Sequence, residues 1–252
     1  MSPIQIIGLP GIPQISSESD LASEIEAAFA RIGEGLQEGD ILVVAQKIVS
    51  KAEGRLKKLS EFLPSKQAHE LARKVGKDPR YVEAVLTESR KLLRAVPQVL
   101  IVEHRLGHIM ANAGIDQSNV DGDDESILLL PVDPDGSAHR LRERLSRGGT
   151  SKIAVVISDS FGRPWRIGTT GVAIGIAGLP AVEDMRGQTD MFGRTLRATE
   201  IALADSVAAA AVLSMGEGPE GVPAVILRGL SWQESTQRAA DGLRDEEGDL
   251  FR

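Results

Sequence analysis

The stretch I-L-V-V-A-Q-K-I-V-S-K, from Ile41 to Lys51, restricts the fold more than any other segment. Its first five residues form a continuous apolar run after a Gly-Asp turn, which predicts a strand buried within a sheet. The strand then delivers polar and basic side chains at its carboxyl end: Gln46, Lys47, Ser50 and Lys51. Lys47 and Lys51 are candidate partners for phosphate, and two merely exposed lysines at a strand end are the simpler alternative.

Capping residues predict further elements on both sides of this strand. A short strand over residues 4–7 comes first, and Asp20 caps a helix after it. Two more helices are predicted downstream, one starting after Ser65 and one at Asp78 with the following proline at its first position. Helical spacing of apolar residues predicts that the second of them continues to Pro97.

The remaining half of the chain alternates apolar runs with loops. Strands are predicted at residues 99–102, 109–111, 127–130, 153–157 and 222–227. We expect an exposed, arginine-rich helix over Ser137–Ser146 and a helix with a small-residue face over Arg197–Met215. Residues 162–178 contain too many glycines for a helix and indicate tight packing or an interface. The Asp-, Asn- and Gly-rich stretch Asn112–Glu125 is long enough to be a functional loop.

Composition excludes several classes of protein. The chain has 252 residues, 29 Lys and Arg against 36 Asp and Glu, and a net charge of -7, which argues against nucleic-acid binding. With no cysteine, it has no disulfide framework, thiolate metal site or cysteine nucleophile. Its four histidines form no H-E-x-x-H pattern, which disfavours zinc. The N-terminus resembles no signal peptide and no apolar run has membrane-spanning length, so we expect a cytoplasmic protein that does not enter a membrane.

Three carboxylates stand at the ends of predicted elements and are candidate metal ligands. Asp116 lies in the loop N-A-G-I-D-Q-S-N, Asp159 follows a buried strand, and Glu217 follows a long helix. Carboxylates delivered by loops suit Mg²⁺ or Mn²⁺. The negative charge of Glu217 would lie at the negative end of a helix dipole. This interaction is unfavourable by about 0.3–1 kcal/mol unless a cation compensates. The alternative is that each acid is a turn or capping residue.

Two other patterns bear on ligand binding. Gly216–Gly221 matches G-x-G-x-x-G, but it follows a predicted helix and precedes a strand, the reverse of a dinucleotide-binding motif. The segment D-S-F-G-R-P-W-R, from Asp159 to Arg166, combines an acid, a hydroxyl, two arginines and a tryptophan. Arginine forks and an aromatic ring suit an anionic aromatic substrate, with surface decoration as the alternative. Further arginines, including Arg186 and Arg228, could extend this charge or form structural ion pairs.

Several segments together resemble one known family. They are Gly8-Leu9-Pro10, V-V-A-Q-K-I-V-S-K-A-E-G-R (43–55), N-A-G-I-D-Q-S-N (112–119), S-D-S-F-G-R (158–163) and M-G-E-G (215–218). In this order and spacing they resemble the coenzyme F420-0:L-glutamate ligase (CofE) family, from about residue 4 to Leu230. One departure is Ser160, where archaeal members carry threonine; the hydroxyl group is kept.

The resemblance implies a fold and a chemistry. The expected fold is α+β, with mixed or antiparallel sheets and packed helices in a CofE-like arrangement, forming an intertwined homodimer. Residues 1–252 would be a single ligase unit of one or two intimately packed subdomains, without the C-terminal nitroreductase domain of fused members. The implied reaction joins L-glutamate to the terminal carboxylate of F420-0, or of its dehydro form, through an acyl phosphate, with GTP converted to GDP and phosphate. Two Mn²⁺ or Mg²⁺ ions per site are implied, with K⁺ as a further ion.

The resemblance also assigns residues by position. Metal ligands would be Asp116, Asp159, Ser160 and Glu217, and the catalytic residues would be Asp159 and Lys51. Nucleotide contacts would come from the N-terminal turn, the first strand end, the acidic loop and the segment after the long helix: Gly8, Leu9, Pro10, Gly11, Gln46, Lys47, Lys51, Asn119, Met215, Gly216, Glu217, Gly218, Gly221 and Val222. Two other readings stay open, a metal-dependent phosphohydrolase or kinase and a dimeric ligand-binding protein without turnover.

Overall fold

The computed structural model describes residues 3–117, 123–147, 149 and 152–249. Within these residues the helices are α1 Leu21–Arg31, α2 Gln46–Ala52, α3 Lys66–Val75, α4 Pro79–Thr87, α5 Pro134–Ser146 and α6 Leu203–Met215. The strands are β1 Gln5–Gly8, β2 Ile41–Ala45, β3 Leu56–Lys58, β4 Ser89–Val96, β5 Val99–His104, β6 Ile109–Ala111, β7 Ser126–Leu128, β8 Ala154–Arg163, β9 Arg166–Ala177, β10 Glu183–Asp184, β11 Glu200–Ile201 and β12 Ala224–Arg228. The expected mixed α+β class is confirmed.

The largest sheet has five strands in the order β1-β12-β2-β8-β9. Its two central neighbours, β2 and β8, run parallel, and the other pairs are antiparallel. The register sets Ile41 beside Ala154 and Ala45 beside Ser158. Because parallel strands end at the same edge of a sheet, the segments that follow Ala45 and Ser158 start side by side.

Apolar cores lie on both faces of this sheet. Leu42 and Val44 pack into one core with α1 and α5, whereas Ile41 and Val43 pack into the other with α6. Both faces of β2 are therefore buried, which explains its uninterrupted apolar sequence. A third core joins α3 and α4 to the sheet β4-β5-β6 and the pair β3-β7.

Local capping chemistry is confirmed at three helix starts. The side chains of Asp20, Ser65 and Asp78 each accept a hydrogen bond from a backbone N–H of the first turn of their helices. No helix in the described ranges combines the length and the apolar character needed to span a bilayer.

Three predicted helices differ from the structure. The helix expected to continue to Pro97 ends at Thr87, and Ser89–Val96 is a strand, because pairing with β5 overrides the local spacing. The long helix begins at Leu203 rather than Arg197, since Glu200–Ile201 pairs with β10. The helix predicted as exposed, α5, starts at Pro134 and buries one face through Ala138, Leu141 and Leu145.

The glycine-rich stretch forms the strand β9, which the sequence did not predict. A methyl group at Gly171 would overlap the backbone carbonyl of Ala208 in α6. One at Gly175 would overlap Pro134 at the start of α5. Helices on opposite faces of the sheet thus approach the backbone of one strand, and the predicted tight packing is confirmed.

Candidate active site

A cavity of about 340 Å³ opens where β2 ends, beside the middle of β8, so Asp159 lies within this strand rather than after it. Its walls include most of the residues predicted to bind ligands: Gln46, Lys47, Lys51, Asp116, Asp159, Ser160, Met215, Gly216, Glu217, Gly218, Gly221 and Val222. They come from four places in the chain: α2, the loop that contains Asp116, the middle of β8, and the end of α6 with the segment that follows it. The topology therefore brings together side chains that lie far apart in the sequence.

Asp116 is held at the cavity wall by two neighbours on the first turn of α2. The Gln46 side-chain amide donates to Asp116 Oδ2 at 2.7 Å, and Lys47 Nζ lies 2.8 Å from the same oxygen. Gln46 is itself held from behind, since Ser50 Oγ donates to Gln46 Oε1 at 2.9 Å. The backbone of Asp116 pairs with Leu128 in both directions. Both the main chain and the side chain of this acid are thus fixed.

Asp159 occupies the most electrostatically unfavourable position in the cavity. Burial raises the pKa of Asp159 to about 7, and the negative charges of Asp116 and Glu217 act in the same direction. Lys47 and the backbone N–H of Ser160 oppose the shift only in part. Two further carboxylates are therefore close enough to destabilise the charged form of Asp159, a situation that a bound cation would reverse.

The acids do not form a finished metal cage. In the ranges that the structure describes, no three Asp, Glu, His or Cys side chains are grouped closely enough to hold an ion together. Asp116 is engaged with Lys47, and Glu217 is exposed in the segment after α6. The proposed ligands share a cavity and an electrostatic field, and their direct coordination of an ion stays a prediction.

Comparison with known proteins decides the family. A family model described as F420-0:Gamma-glutamyl ligase matches residues 11–229. The chain belongs to this ligase family. It is similar to proteins named Coenzyme F420:L-glutamate ligase, with 46% identity over 99% of both chains for that of Methanothermobacter thermautotrophicus. The Archaeoglobus fulgidus relative is 41% identical over 99% of this chain and 96% of its own, and the Methanocaldococcus jannaschii relative is 40% identical over 99% and 97%.

Some residues that the family resemblance assigned to the site lie elsewhere. Gly8–Gly11 do not line the cavity in the described structure: Leu9 is fully buried in a core, and Gly8 packs against Ser214 at the end of α6. The next residues, 12–15, form that wall instead. Asn119 lies outside the described residues. The binding roles of Gly8–Gly11 and Asn119 therefore stay predictions.

The segment Asp159–Arg166 does not converge on one ligand site in this ligase. Asp159 and Ser160 line the cavity, whereas Arg163 lines a different one and Trp165, at the hairpin turn, is 86% exposed. The strand carries successive residues away from the site at about 3.3 Å each, so a sequence cluster becomes an extended arm. The combined aromatic and arginine site predicted over this segment is therefore wrong as a single site.

The arginines Arg186 and Arg228 are structural in this family member. Arg186 pairs with Asp184 and Glu200. Arg228 binds the buried Asp40 through two hydrogen bonds of 3.0 and 2.9 Å. Their ion-pair interpretation is confirmed.

Sequence reasoning missed two features of the site. It did not place Ile12–Ile15 on the wall, although the proline turn after β1 was a signal that the chain stays near the strand end. It gave Ser50 no role, although the i, i+4 spacing of Gln46 and Ser50 on a helix would have paired them.

Proposed function

We propose that this protein joins the amino group of L-glutamate to the terminal carboxylate of coenzyme F420-0, with conversion of GTP to GDP and phosphate, in the biosynthesis of coenzyme F420. One observation carries the proposal. A cavity at the end of β2 and beside the middle of the parallel strand β8 collects Asp116, Asp159 and Glu217 with Lys47 and Lys51, in a chain 46% identical to a protein named Coenzyme F420:L-glutamate ligase.

The chemistry requires activation of a carboxylate, because oxide is too poor a leaving group for direct attack by an amine. In the proposed reaction a carboxylate oxygen of F420-0 attacks the γ-phosphorus of GTP, an O–P bond forms, and the β–γ phosphoanhydride bond breaks to release GDP. The glutamate amine then attacks the acyl carbon, and the new C–N bond expels inorganic phosphate while the nitrogen loses a proton. Positioning and charge stabilisation account for most of such catalysis.

The cavity offers charge of both signs for these steps. Lys47 and Lys51 line it on the side of α2, where their ammonium groups would stabilise negative phosphate oxygens. The opposite sign comes from Asp116, Asp159 and Glu217, whose carboxylates would hold divalent ions. F420-0 and GTP would displace water from the cavity when they bind.

The oxygen-rich wall also fits divalent ions. Asp116, Asp159, Ser160 and Glu217 would hold Mn²⁺ or Mg²⁺, because carboxylate and hydroxyl oxygens are the ligands that these ions prefer. The electrostatics of the cavity also favour a cation. Burial and two neighbouring acids raise the pKa of Asp159, and added positive charge would stabilise its ionised form. Such ions would supply charge neutralisation for phosphate oxygens.

We further propose a homodimer, supported by apolar side chains that project into solvent from the described surface. Ile167, at the β8-β9 turn, is fully exposed, and Trp165 beside it is 86% exposed. Met191 and Phe192, in the loop between β10 and β11, are similarly exposed. Ile167→Asp is expected to yield monomers in light scattering. Leu63→Asp, a matched change at an exposed apolar residue outside these segments, should leave the dimer intact.

A direct assay tests the proposed reaction. Purified protein is incubated with F420-0, GTP, MnCl₂ and L-glutamate, and mass spectrometry follows products heavier by one or more glutamyl units. GTP turnover independent of F420-0 and L-glutamate would instead indicate a phosphohydrolase or kinase. Asp159→Asn should abolish ligation while the fold is retained, and Glu70→Gln, at an exposed position of α3, should not. Glutamate-dependent GDP release that persists in Asp159→Asn would contradict the role of this residue.

A further inference from the structure

A second cavity, of about 510 Å³, lies at the free edge of β9. Its walls come from the β8-β9 hairpin, the first turns of α6, the turn before β6 and the C-terminal segment. The side chains that matter for its chemistry are His108, Phe161, Arg163 and Arg244. We call it the edge cavity.

The edge cavity adjoins the candidate active site along two elements. On β8, Asp159 and Ser160 line the active site, and the next residue, Phe161, lines the edge cavity. On α6, Val212 lines the active site, and Ala209, one turn earlier, lines the edge cavity. The edge cavity and the active site therefore border each other along this strand and this helix.

The opposite side of the active site has a different neighbour. A wider cleft of about 1140 Å³ shares Lys51, Gly218 and Gly221 with the active-site cavity. These three residues belong to the set predicted to contact the nucleotide. With the nucleotide on that side, the edge cavity is left for a substrate that is not the nucleotide.

His108 is a polar side chain through which the edge cavity could bind a ligand. It is only 4% exposed, and its ring packs edge-on against Phe161 with centroids 6.0 Å apart. Its ring lines the cavity, and within the described chain the fully buried side-chain atom left without a partner is His104 Nε2, not a nitrogen of His108. A ligand in the cavity could hydrogen-bond to the His108 ring. Burial lowers the pKa of His108 to about 4, and the neutral ring offers one donor and one acceptor.

Two arginines of the edge cavity favour the binding of an anion. Arg163 and Arg244 have no carboxylate partner within the described part of the chain, in contrast to Arg186 and Arg228. Two acids also line the cavity, and one of them, Asp205, already accepts the backbone N–H of Ala173 at 2.9 Å. Unpaired guanidinium groups beside an aromatic ring suit a flat molecule that carries negative charge.

We propose that the edge cavity binds the aromatic ring system of the acceptor substrate, a flat heterocycle with a long acidic arm, and directs the end of that arm to Asp159. This inference rests on the proposed function and deepens it by naming where the acceptor is held. Arg163 lies four residue steps from Asp159 along β8, about 13 Å at about 3.3 Å per step, and Phe161 lies two steps away, about 7 Å. A ring held beside these two residues would need an arm of about 7–13 Å to bring its carboxylate to Asp159.

Calorimetric titration with F420-0 in the absence of GTP tests the proposal on the intact protein. The variants are Arg163→Gln with Arg244→Gln, and His108→Phe, which keeps a ring but removes its hydrogen-bonding atoms. Loss of charge-assisted hydrogen bonds should weaken F420-0 binding about tenfold or more in each. The KM for F420-0 should rise while the KM for GTP is unchanged. Arg73→Gln, an exposed arginine on α3, is the matched control and should bind as the wild type does.

The possible outcomes separate this proposal from the proposed function. If the wild type ligates glutamate and all variants bind F420-0 normally, the edge cavity is not the acceptor site, and the proposed function stands. If the wild type neither binds F420-0 nor ligates, both proposals are overturned. If the arginine variants dissociate the oligomer with unchanged F420-0 affinity, the edge cavity is a subunit contact and this proposal is wrong.

Discussion

Replacement of Ser50 by alanine tests the chain of hydrogen bonds that fixes Asp116. Ser50 and Gln46 are 0% and 1% exposed, and the hydroxyl donates to the amide oxygen at 2.9 Å. The amide nitrogen in turn donates to Asp116 at 2.7 Å. Without the hydroxyl, the buried Gln46 oxygen loses its hydrogen-bond partner. The expected loss of unfolding free energy is about 1–3 kcal/mol.

A second variant, Gln46→Leu, removes the middle of the chain. Leucine fills a similar volume, and Asp116 keeps water and Lys47 as partners because its side chain is 24% exposed. The double variant has no buried amide left to satisfy, so Ser50→Ala should cost much less in that background. We expect a coupling free energy of about 0.5–3 kcal/mol between the two positions.

Urea unfolding of the wild type, the two single variants and the double variant measures this coupling. Ser206→Ala is the control, because within the described chain this exposed serine donates its hydroxyl only to the backbone of Ala202 at the start of α6. On the proposed role of Asp116 as an Mn²⁺ ligand, Gln46→Leu should also weaken Mn²⁺ binding by about 10- to 100-fold, the usual effect of removing a residue that orients a metal ligand. Losses that add within about 0.3 kcal/mol, with unchanged Mn²⁺ affinity, would refute the claim that the three side chains act as one unit.

Three further predictions concern packing, a buried ion pair and acid stability. Gly171→Ala should destabilise the protein by about 1–3 kcal/mol in urea unfolding, because the added methyl overlaps a carbonyl of α6, whereas Gly35→Ala meets open space and should be nearly neutral. Arg228→Met should cost about 3–5 kcal/mol, since it leaves the fully buried Asp40 without its charged partner, and thermal unfolding will detect it. The lowered pKa of His108, about 4, predicts stability that is complete above pH 6.5 and falls by up to about 3 kcal/mol toward pH 4; His108→Leu should flatten that part of the urea-derived pH profile.

Local physics accounts for the parts of the fold that the sequence predicts well. Ile41–Ala45 is a strand in the structure because apolar residues on both of its faces enter separate cores. Asp20, Ser65 and Asp78 begin helices because their side chains satisfy N–H groups only three residues away or fewer. Each of these determinants lies within a few residues of the element that it specifies.

The errors arise where residues outside an element decide its structure. Residues 89–96 have helix-like spacing, but they form a strand because β5, on the far side of a turn at Gln98, offers a hydrogen-bonding partner. Likewise, the residues around Gly171 in the sequence do not indicate that the carbonyl of Ala208 in α6 will lie against it and leave room only for glycine. Pairing and packing between distant segments are not encoded in periodicity.

The candidate site combines both kinds of information. Each acid could be singled out locally, since Asp159 follows an apolar run and Glu217 follows a helix. Their meeting depends on the parallel pairing that sets Ala45 beside Ser158, a long-range choice. That pair sets the first turn of α2 beside the residue after Ser158, and Lys47 and Asp159 line one cavity. Asp116 and Glu217 reach the same cavity from other segments and act on the charge of Asp159, so the electrostatics of the site depend on several long-range contacts, of which this strand register is one.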